Sequence, residues 1–541
     1  MRKKEDIIVN TPMVEAVLEA YDQGQEDESL EPIVACDAQG APLGRMENKD
    51  YVIFYDIRGE REVEITRSLT EKDFSNFPVK KDTRLHFVTM IEYKSDLNAK
   101  VAFPPPGRVK NSLGEVLSKK GIPFCKISES EKEVHVGYFF NGKSEKVFPG
   151  EERKVIPSPE GVASFSEKPE MSIRMVTQEI ISTLDESKYR MVLANFANAD
   201  VVGHSEDREA VIKAVESVDR ELGKVVDYCQ EHGVTLVVTA DHGTVEEWLY
   251  PDGTINTGHT NNQVPFILAD FSENNPKETK LRSSGELSHI APTVLQLLHL
   301  DRPSEMKEES MVLNKEALTS PKQKVLLLIL DGWGLNESKK GNMIQAAKTP
   351  HYDQLWGQYP HAKLQASGEA VGMPPGTVGN SEAGHLHIGA GRRILLDRVR
   401  IDRSIDDGSF FKNRVFLETM EKAKKENKPL HLLGIVSHYS SHGTIDFLYS
   451  LLKLAKNKGL KQVYVHSLIG RRGEKPESGA IYISKVEQMC QEVSVGHLCT
   501  IMGRFWALDR EENWDRVEKA YRALVFGDGR KIRMKGQELQ D

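Results

Sequence analysis

The chain of 541 residues carries 72 Lys and Arg against 81 Asp and Glu, a formal net charge of −9. That balance excludes binding to nucleic acid through an extended basic face, which needs cationic groups to displace counterions. Hydrophobic residues at 39% and charged residues at 28% describe a globular chain, with length for roughly two to four domains of ~100–200 residues.

The opening segment MRKKEDIIVNTP mixes acid with base and lacks the ~7–15 residue apolar run of a secretory signal. The longest aliphatic run, Val325 to Leu330, falls far short of the ~20 residues of a membrane span. Cys36, Cys125, Cys229, Cys490 and Cys499 are scattered and never spaced CxxC, which argues against a disulfide framework and a structural zinc site. The expectation is a cytoplasmic chain with no membrane or nucleic-acid partner.

In chain order, the first predicted feature is the basic segment YDIRGER, with Arg58 and Arg61 after a strand-like run. Phe103 to Gly107 contains three consecutive prolines and is predicted as a loop. Met191 to Phe196 reads as a strand. Val211, Ala214, Val215, Val218, Leu222, Val225 and Cys229 recur at steps of three and four before Gly233, which predicts a helix over Ala210 to Glu231 with Cys229 in the core. Val234 to Ala240, Lys324 to Leu330 and Leu430 to Val436 are further strands, and Thr444 to Lys458 is a second amphipathic helix before Gly459. The polar run NKEALTSPKQK, Asn314 to Lys324, is predicted as a linker. Strands alternating with helices make the fold α/β with mostly parallel sheets.

Three of the strands run into acid or imidazole: Lys324 to Leu330 into Asp331, Val234 to Ala240 into Asp241 and His242, and Met191 to Phe196 into Asp200 and His204. Ligands bind at the carboxyl ends of strands in open α/β sheets, so these groups are placed to share a crevice. His259, in TGHTNN, adds an imidazole. Mixed Asp and His ligation suits manganese or zinc better than calcium or magnesium. Ser381, in GNSEAGHLHIGAGR, lies between a glycine-rich loop and a helix start, where it is either an N-cap or a nucleophile beside a metal; His385 and His387 read as structural. Lys132, Arg472, Arg504 and Arg510 join Arg58 and Arg61 as cations that are either solvated or holders of carboxylate and phosphate. His442, in HYSSHGTID, is either a general acid/base or a helix cap.

LILDGWG, GNSEAGHLHIGAGR, NFANADVVGH, TADHG and TGHTNNQVPFI, together with FPGEER, KPEMS and WDRVEKAYRALVFGDG, resemble the 2,3-bisphosphoglycerate-independent phosphoglycerate mutases of the alkaline phosphatase superfamily. Relative to that family the order is rotated: the nucleophile half begins near Lys324, so the chain resembles a circular permutation joined through the polar linker. The resemblance implies an alkaline-phosphatase-like metal domain over 107–393 with a central mostly parallel sheet, and an α/β substrate domain assembled from 1–106 and 394–541. It implies one metal on Asp200, His204 and His259, and a second on Asp331, Ser381, Asp241 and His242, both divalent and of manganese type. It further implies Ser381 as phosphoryl acceptor, His442 as acid/base, Lys132 as a catalytic cation, and Arg58, Arg61, Arg472, Arg504 and Arg510 as holders of the substrate.

The substrate-binding motifs depart from the family. Its DGRD reads Gly470, Arg471, Arg472 and Gly473 here, its DGG before the histidine reads His438, Tyr439 and Ser440, and its RPDRA reads Arg58, Gly59, Glu60, Arg61 and Glu62. The expected activity is interconversion of 3-phosphoglycerate and 2-phosphoglycerate by a monomer. The rivals are a phosphatase or mutase for another small phosphorylated acid, and a noncatalytic phosphoglycerate sensor.

Overall fold

The computed structural model describes residues 7–81, 83–105, 107–162, 164–250, 252–272, 279–314, 318, 324–437, 442–470 and 477–534. Of the expected linker, 315–317 and 319–323 lie outside the described residues, as do His438 to Ser441 and Arg471 to Pro476, which include Arg472 and Gly473. The backbone forms two compact units: Pro106–Val399, and Met1–Pro105 together with Arg400–Asp541.

The unit Pro106–Val399 is built on an eight-stranded sheet. Its centre is Val325–Leu330, which is buried along its whole length and pairs in parallel with Met191–Phe196 on one side and Thr235–Thr239 on the other. A strand covered on both faces needs apolar side chains at every position, which is why VLLLIL is continuous rather than alternating. Phe124–Glu129 and Glu151–Ile156 extend the parallel set beyond Met191–Phe196. On the other flank Val264–Asp270 runs antiparallel between Thr235–Thr239 and His361–Gln365. Ser284–Glu286 completes that edge.

The helix Arg208–His232 lies in the same unit and ends before Gly233. It starts two residues earlier than its apolar periodicity indicates, because the Asp207 side chain accepts from the backbone N–H of Glu209 and Ala210, both at 3.1 Å. Val211, Val215, Val218, Leu222, Val225 and Cys229 are completely buried, the larger of them stabilising the fold by ~1.5–3 kcal/mol each.

The other unit is a second eight-stranded sheet. From one edge the strands are Arg530–Arg533, Ile33–Cys36, His497–Gly503, Val463–Ile469, Leu430–Ile435, Tyr51–Phe54, His86–Ile91 and Lys100–Phe103. Among the described strands of this sheet, Ile33–Cys36 pairs antiparallel with His497–Gly503 and the other pairings are parallel. The helix Ile445–Lys458 is capped by Thr444 and followed by Gly459. Phe103, expected in a loop, is instead the last residue of an edge strand; an edge tolerates prolines immediately after it because one side of its ladder is unpaired. Among the described residues no helix is long and apolar enough to cross a membrane.

Candidate metal centre

In the unit Pro106–Val399, parallel strands deliver their following residues to one point. Asp331 directly follows Val325–Leu330, Asp241 and His242 follow Thr235–Thr239, and Lys132 follows Phe124–Glu129. Asp200 and His204 are brought in by the short helix Asn198–Gly203, which starts just after Met191–Phe196. The turn at Asp331 is tight: Gly332 has φ 77°, and a Cβ there would lie 2.7 Å from the Asp200 Cα. Ser381 opens the helix Ser381–Ala390, but the cap is Asn380, whose side chain accepts from Ala383 N at 2.8 Å. The Ser381 hydroxyl is therefore not used for capping and is directed into the cluster.

Lys132 Nζ donates to Asp200 Oδ2 at 2.7 Å, Asp331 Oδ1 at 2.8 Å and Ser381 Oγ at 2.9 Å. Ser381 Oγ also lies 2.9 Å from His242 Nε2 and 3.3 Å from Asp331 Oδ1. The Nε2 atoms of His204 and His259 each approach Asp200 Oδ1 to 3.3 Å, with that of His242 at 3.7 Å. Asp241 Oδ2 is 3.6 Å from His242 Nε2 and 3.2 Å from His385 Nδ1. All seven expected metal ligands are thus gathered, with Lys132 among them.

Burial raises each carboxyl and lowers each cation, so the surviving charges must be set by their neighbours. Burial alone would depress Lys132, but Asp200 and Asp331 outweigh it and hold its ammonium far above the usual lysine range. Against their own burial, Lys132 and His242 hold Asp200 well below the usual carboxylate range, and His242 and His385 do the same for Asp241. Asp331 is raised by burial and by Asp241, with Lys132 opposing. His204 is raised chiefly by its bond to Asp200; for His259 the Asp200 bond overcomes burial in the same direction.

The imidazoles fit a cation. His204 Nδ1 meets Thr257 O at 2.7 Å and His259 Nδ1 meets Gly379 O at 2.8 Å. A carbonyl oxygen only accepts, so both Nδ1 atoms carry hydrogen and the neutral rings present lone pairs at Nε2. Those two Nε2 atoms stand 3.3 Å apart beside one carboxylate oxygen, an arrangement that needs a proton or a metal ion between the donors. Asp200, His242 and His259 form one potential ligand trio, and Asp241, Asp331 and His385 another, each with ligand atoms within 4.8 Å of one another.

Four of the arginines belong to the other unit. Glu60 accepts from Arg58 Nε at 2.9 Å and Arg510 Nη1 at 2.8 Å, Arg504 pairs with Glu28 at 2.8 Å, and Arg61 donates to Leu508 O at 3.2 Å. Burial and then the nearby Arg510, Arg58 and Arg504 lower the pKa of Arg61. Its buried Nε has no partner among the described residues. Such a gathering of like charge is relieved by a bound anion. His442, in the same unit, is buried and bonded through Nδ1 to Glu62 at 2.7 Å. Lys132, grouped with the arginines as a cation by sequence, belongs instead to the metal cluster.

Several supporting residues carried no sequence signal. His385, expected to be structural, touches Asp241 and lies 3.1 Å from Asn195 Nδ2, which in turn donates to Asp331 at 2.8 Å. His387 is structural: it bonds Ala383 O and Ile394 N. Glu246 is buried and accepts from Thr244 N at 2.9 Å, Gly334 N at 3.1 Å, Asn262 Nδ2 at 3.0 Å and the Thr260 hydroxyl, tying together the loops that carry His242, His259 and Asp331.

Fold and donor set together define an α/β protein with a divalent-metal centre. The chain belongs to the Metalloenzyme superfamily, whose profile matches residues 10–302. A second profile, described as the BPG-independent PGAM N-terminus, matches residues 401–540. Its relatives bear the name 2,3-bisphosphoglycerate-independent phosphoglycerate mutase. One from Methanosarcina barkeri is 41% identical over 305 residues, covering 56% of this chain and 58% of its own length. One from Clostridium perfringens is 48% identical over 210 residues, 39% of this chain and 41% of its own. Another, from Clostridium botulinum, is 44% identical over 301 residues, 55% of this chain and 57% of its own. The chain spans about half the length of the curated relatives it matches. A solved phosphoglycerate mutase of Leishmania mexicana matches at 29% identity and a TM-score of 0.36, over 51% of this chain and 53% of that one.

Proposed function

We propose that the chain interconverts 3-phosphoglycerate and 2-phosphoglycerate through a phosphoserine on Ser381. The observation that carries this reading is the Ser381 hydroxyl, spared from capping and lying 2.9 Å from both Lys132 Nζ and His242 Nε2. Asp200, His204 and His259 would hold one divalent ion, and Asp331, Asp241, His242 and Ser381 a second, with the mixed donor set favouring manganese. Such ions lower the pKa of a serine hydroxyl and share the charge of attacking and leaving oxygens. Lys132 donates to the transferring phosphoryl oxygens. Arg58, Arg61, Arg504 and Arg510, with Arg472 from outside the described residues, hold the carboxylate and phosphate while glycerate is detached, and His442 moves the hydroxyl proton as the group leaves one oxygen and returns to the other.

The names of the relatives support the substrate. We also read the chain as circularly permuted, supported by the position of the match described as an N-terminus, at residues 401–540. The test is formation of 2-phosphoglycerate from 3-phosphoglycerate with manganese and without 2,3-bisphosphoglycerate. Conversion is expected, with loss of turnover in Ser381→Ala and no change in its folding. Phosphate release without 2-phosphoglycerate would instead make the chain a phosphatase, the outcome that the missing acid at Gly473 favours. Binding without turnover would make it a sensor.

A further inference from the structure

The substrate unit holds a second buried polar cluster. Asp56 follows the strand Tyr51–Phe54, Glu62 directly precedes the helix Val63–Thr70, and His442 lies between the strand Leu430–Ile435 and the helix Ile445–Lys458. All three side chains are fully buried. Glu62 Oε1 lies 2.7 Å from His442 Nδ1. The backbone locks the same contact, because Ile57 N donates to the His442 carbonyl at 2.6 Å. Asp56 Oδ1 accepts from Ile435 N at 2.8 Å, and Tyr93 donates to the Asp56 carbonyl at 2.7 Å. Asp56 Oδ2 and Glu62 Oε2 have no partner among the described residues.

Two carboxyls with ligand atoms within 4.8 Å of each other and of one imidazole cannot both ionise in a dry interior without large cost. Burial, and then the charge of Glu62, push Asp56 well above the usual carboxylate range. Glu62 is the member hydrogen-bonded to the ring. A carboxylate only accepts, so the Nδ1 of His442 is the protonated nitrogen and Nε2 the basic one. A cation held by the trio through Nδ1 would need the lone pair that this bond has already used.

We propose that Glu62 is a positioning residue for His442: its carboxylate takes the Nδ1 hydrogen, fixes the ring and makes Nε2 the nitrogen that exchanges protons with the substrate hydroxyls. In the first half-reaction Nε2–H gives its proton to the substrate oxygen that loses the phosphoryl group to Ser381; in the second, Nε2 takes the proton of the other hydroxyl as its oxygen attacks the phosphoserine and the Ser381 oxygen leaves. Glu62 stabilises the imidazolium that stands before the first transfer and is restored by the second, and holds the neutral ring in place between them, without itself being protonated. This role rests on the mutase reading above; the tautomer does not.

The experiment uses the full chain labelled with 15N-histidine, with His442→Gln identifying the resonances of that ring. The expected spectrum shows neutral His442 protonated on Nδ1, and Glu62→Gln should lower kcat by roughly tenfold or more with KM within about twofold, since general acid–base catalysis contributes ~10²–10⁴-fold. A neutral ring protonated on Nε2 would overturn the assignment without any variant. Full kcat in Glu62→Gln, with the chain folded and active, would overturn the catalytic role. If the wild type converts no 3-phosphoglycerate, the mutase reading fails, while the spectrum still decides whether Glu62 sets the ring.

Discussion

At the level of single side chains, His204 and His259 are poised between a proton and a metal. The bond to Asp200 raises the pKa of His204, and against burial Asp200 raises that of His259 also. The stability from these pairs is fully present below the unfolded imidazole pKa of ~6.5 and is lost as pH rises through the raised folded values. Metal needs the neutral rings, so the two occupants compete. Manganese should therefore raise the melting midpoint little at about pH 5.5 and progressively more towards about pH 8. Calorimetry across that range checks it, and an equal shift at every pH would remove these imidazoles from the ligand set. Asp331 and Asp241 were legible because apolar runs lead directly into them, and Asp200 because it shortly follows one. Glu246, Asn195 and Glu62 were not: a lone polar residue makes no periodic pattern, whether it sits in a short turn like Glu246 or inside an apolar strand like Asn195, and the imidazole that Glu62 meets lies 380 positions further along the chain. His385 reads as structural in the sequence, which does not show that its ring lies 3.2 Å from Asp241.

Among the elements, the helix Ser381–Ala390 depends most on close approach. A Cβ built on Gly384 would meet the Asp241 Cβ and carbonyl oxygen, both at 2.6 Å. The obstacle includes backbone at a strand end, which cannot give way as a flexible side chain can. Gly384→Ala should thus displace the helix, lowering stability by about 1–3 kcal/mol as overpacking does. It should also weaken manganese binding, because Ser381 and Asp241 would no longer share a site; a titration followed by melting midpoint measures both. Tight metal binding in that variant would show that the helix tolerates the displacement. Helices with an apolar face, such as Arg208–His232, were readable from spacing, and so was the fully buried strand Val325–Leu330. The antiparallel course of Val264–Asp270 was not, because strand direction is decided by the connection and by its neighbours on the sheet.

On the scale of the whole molecule, one unit is a single stretch of chain and the other is made from two. Every proposed metal ligand lies within Pro106–Val399. That segment expressed alone should melt cooperatively, with a midpoint that rises on adding manganese, by ~2.7 kcal/mol of added stability at a hundredfold excess over Kd. A fragment that stays unfolded would mean that the rest of the chain is required for its core. The other unit imposes an order of events on synthesis. Ile33–Cys36 is hydrogen-bonded on one side to Arg530–Arg533 and on the other to His497–Gly503. A ribosome adding ~5–20 residues per second leaves that strand without either neighbour for roughly half a minute or more. The early segment must wait, with its apolar face exposed, while the metal-binding half emerges and collapses first. Chaperone demand during translation should therefore fall on the first hundred residues of the chain.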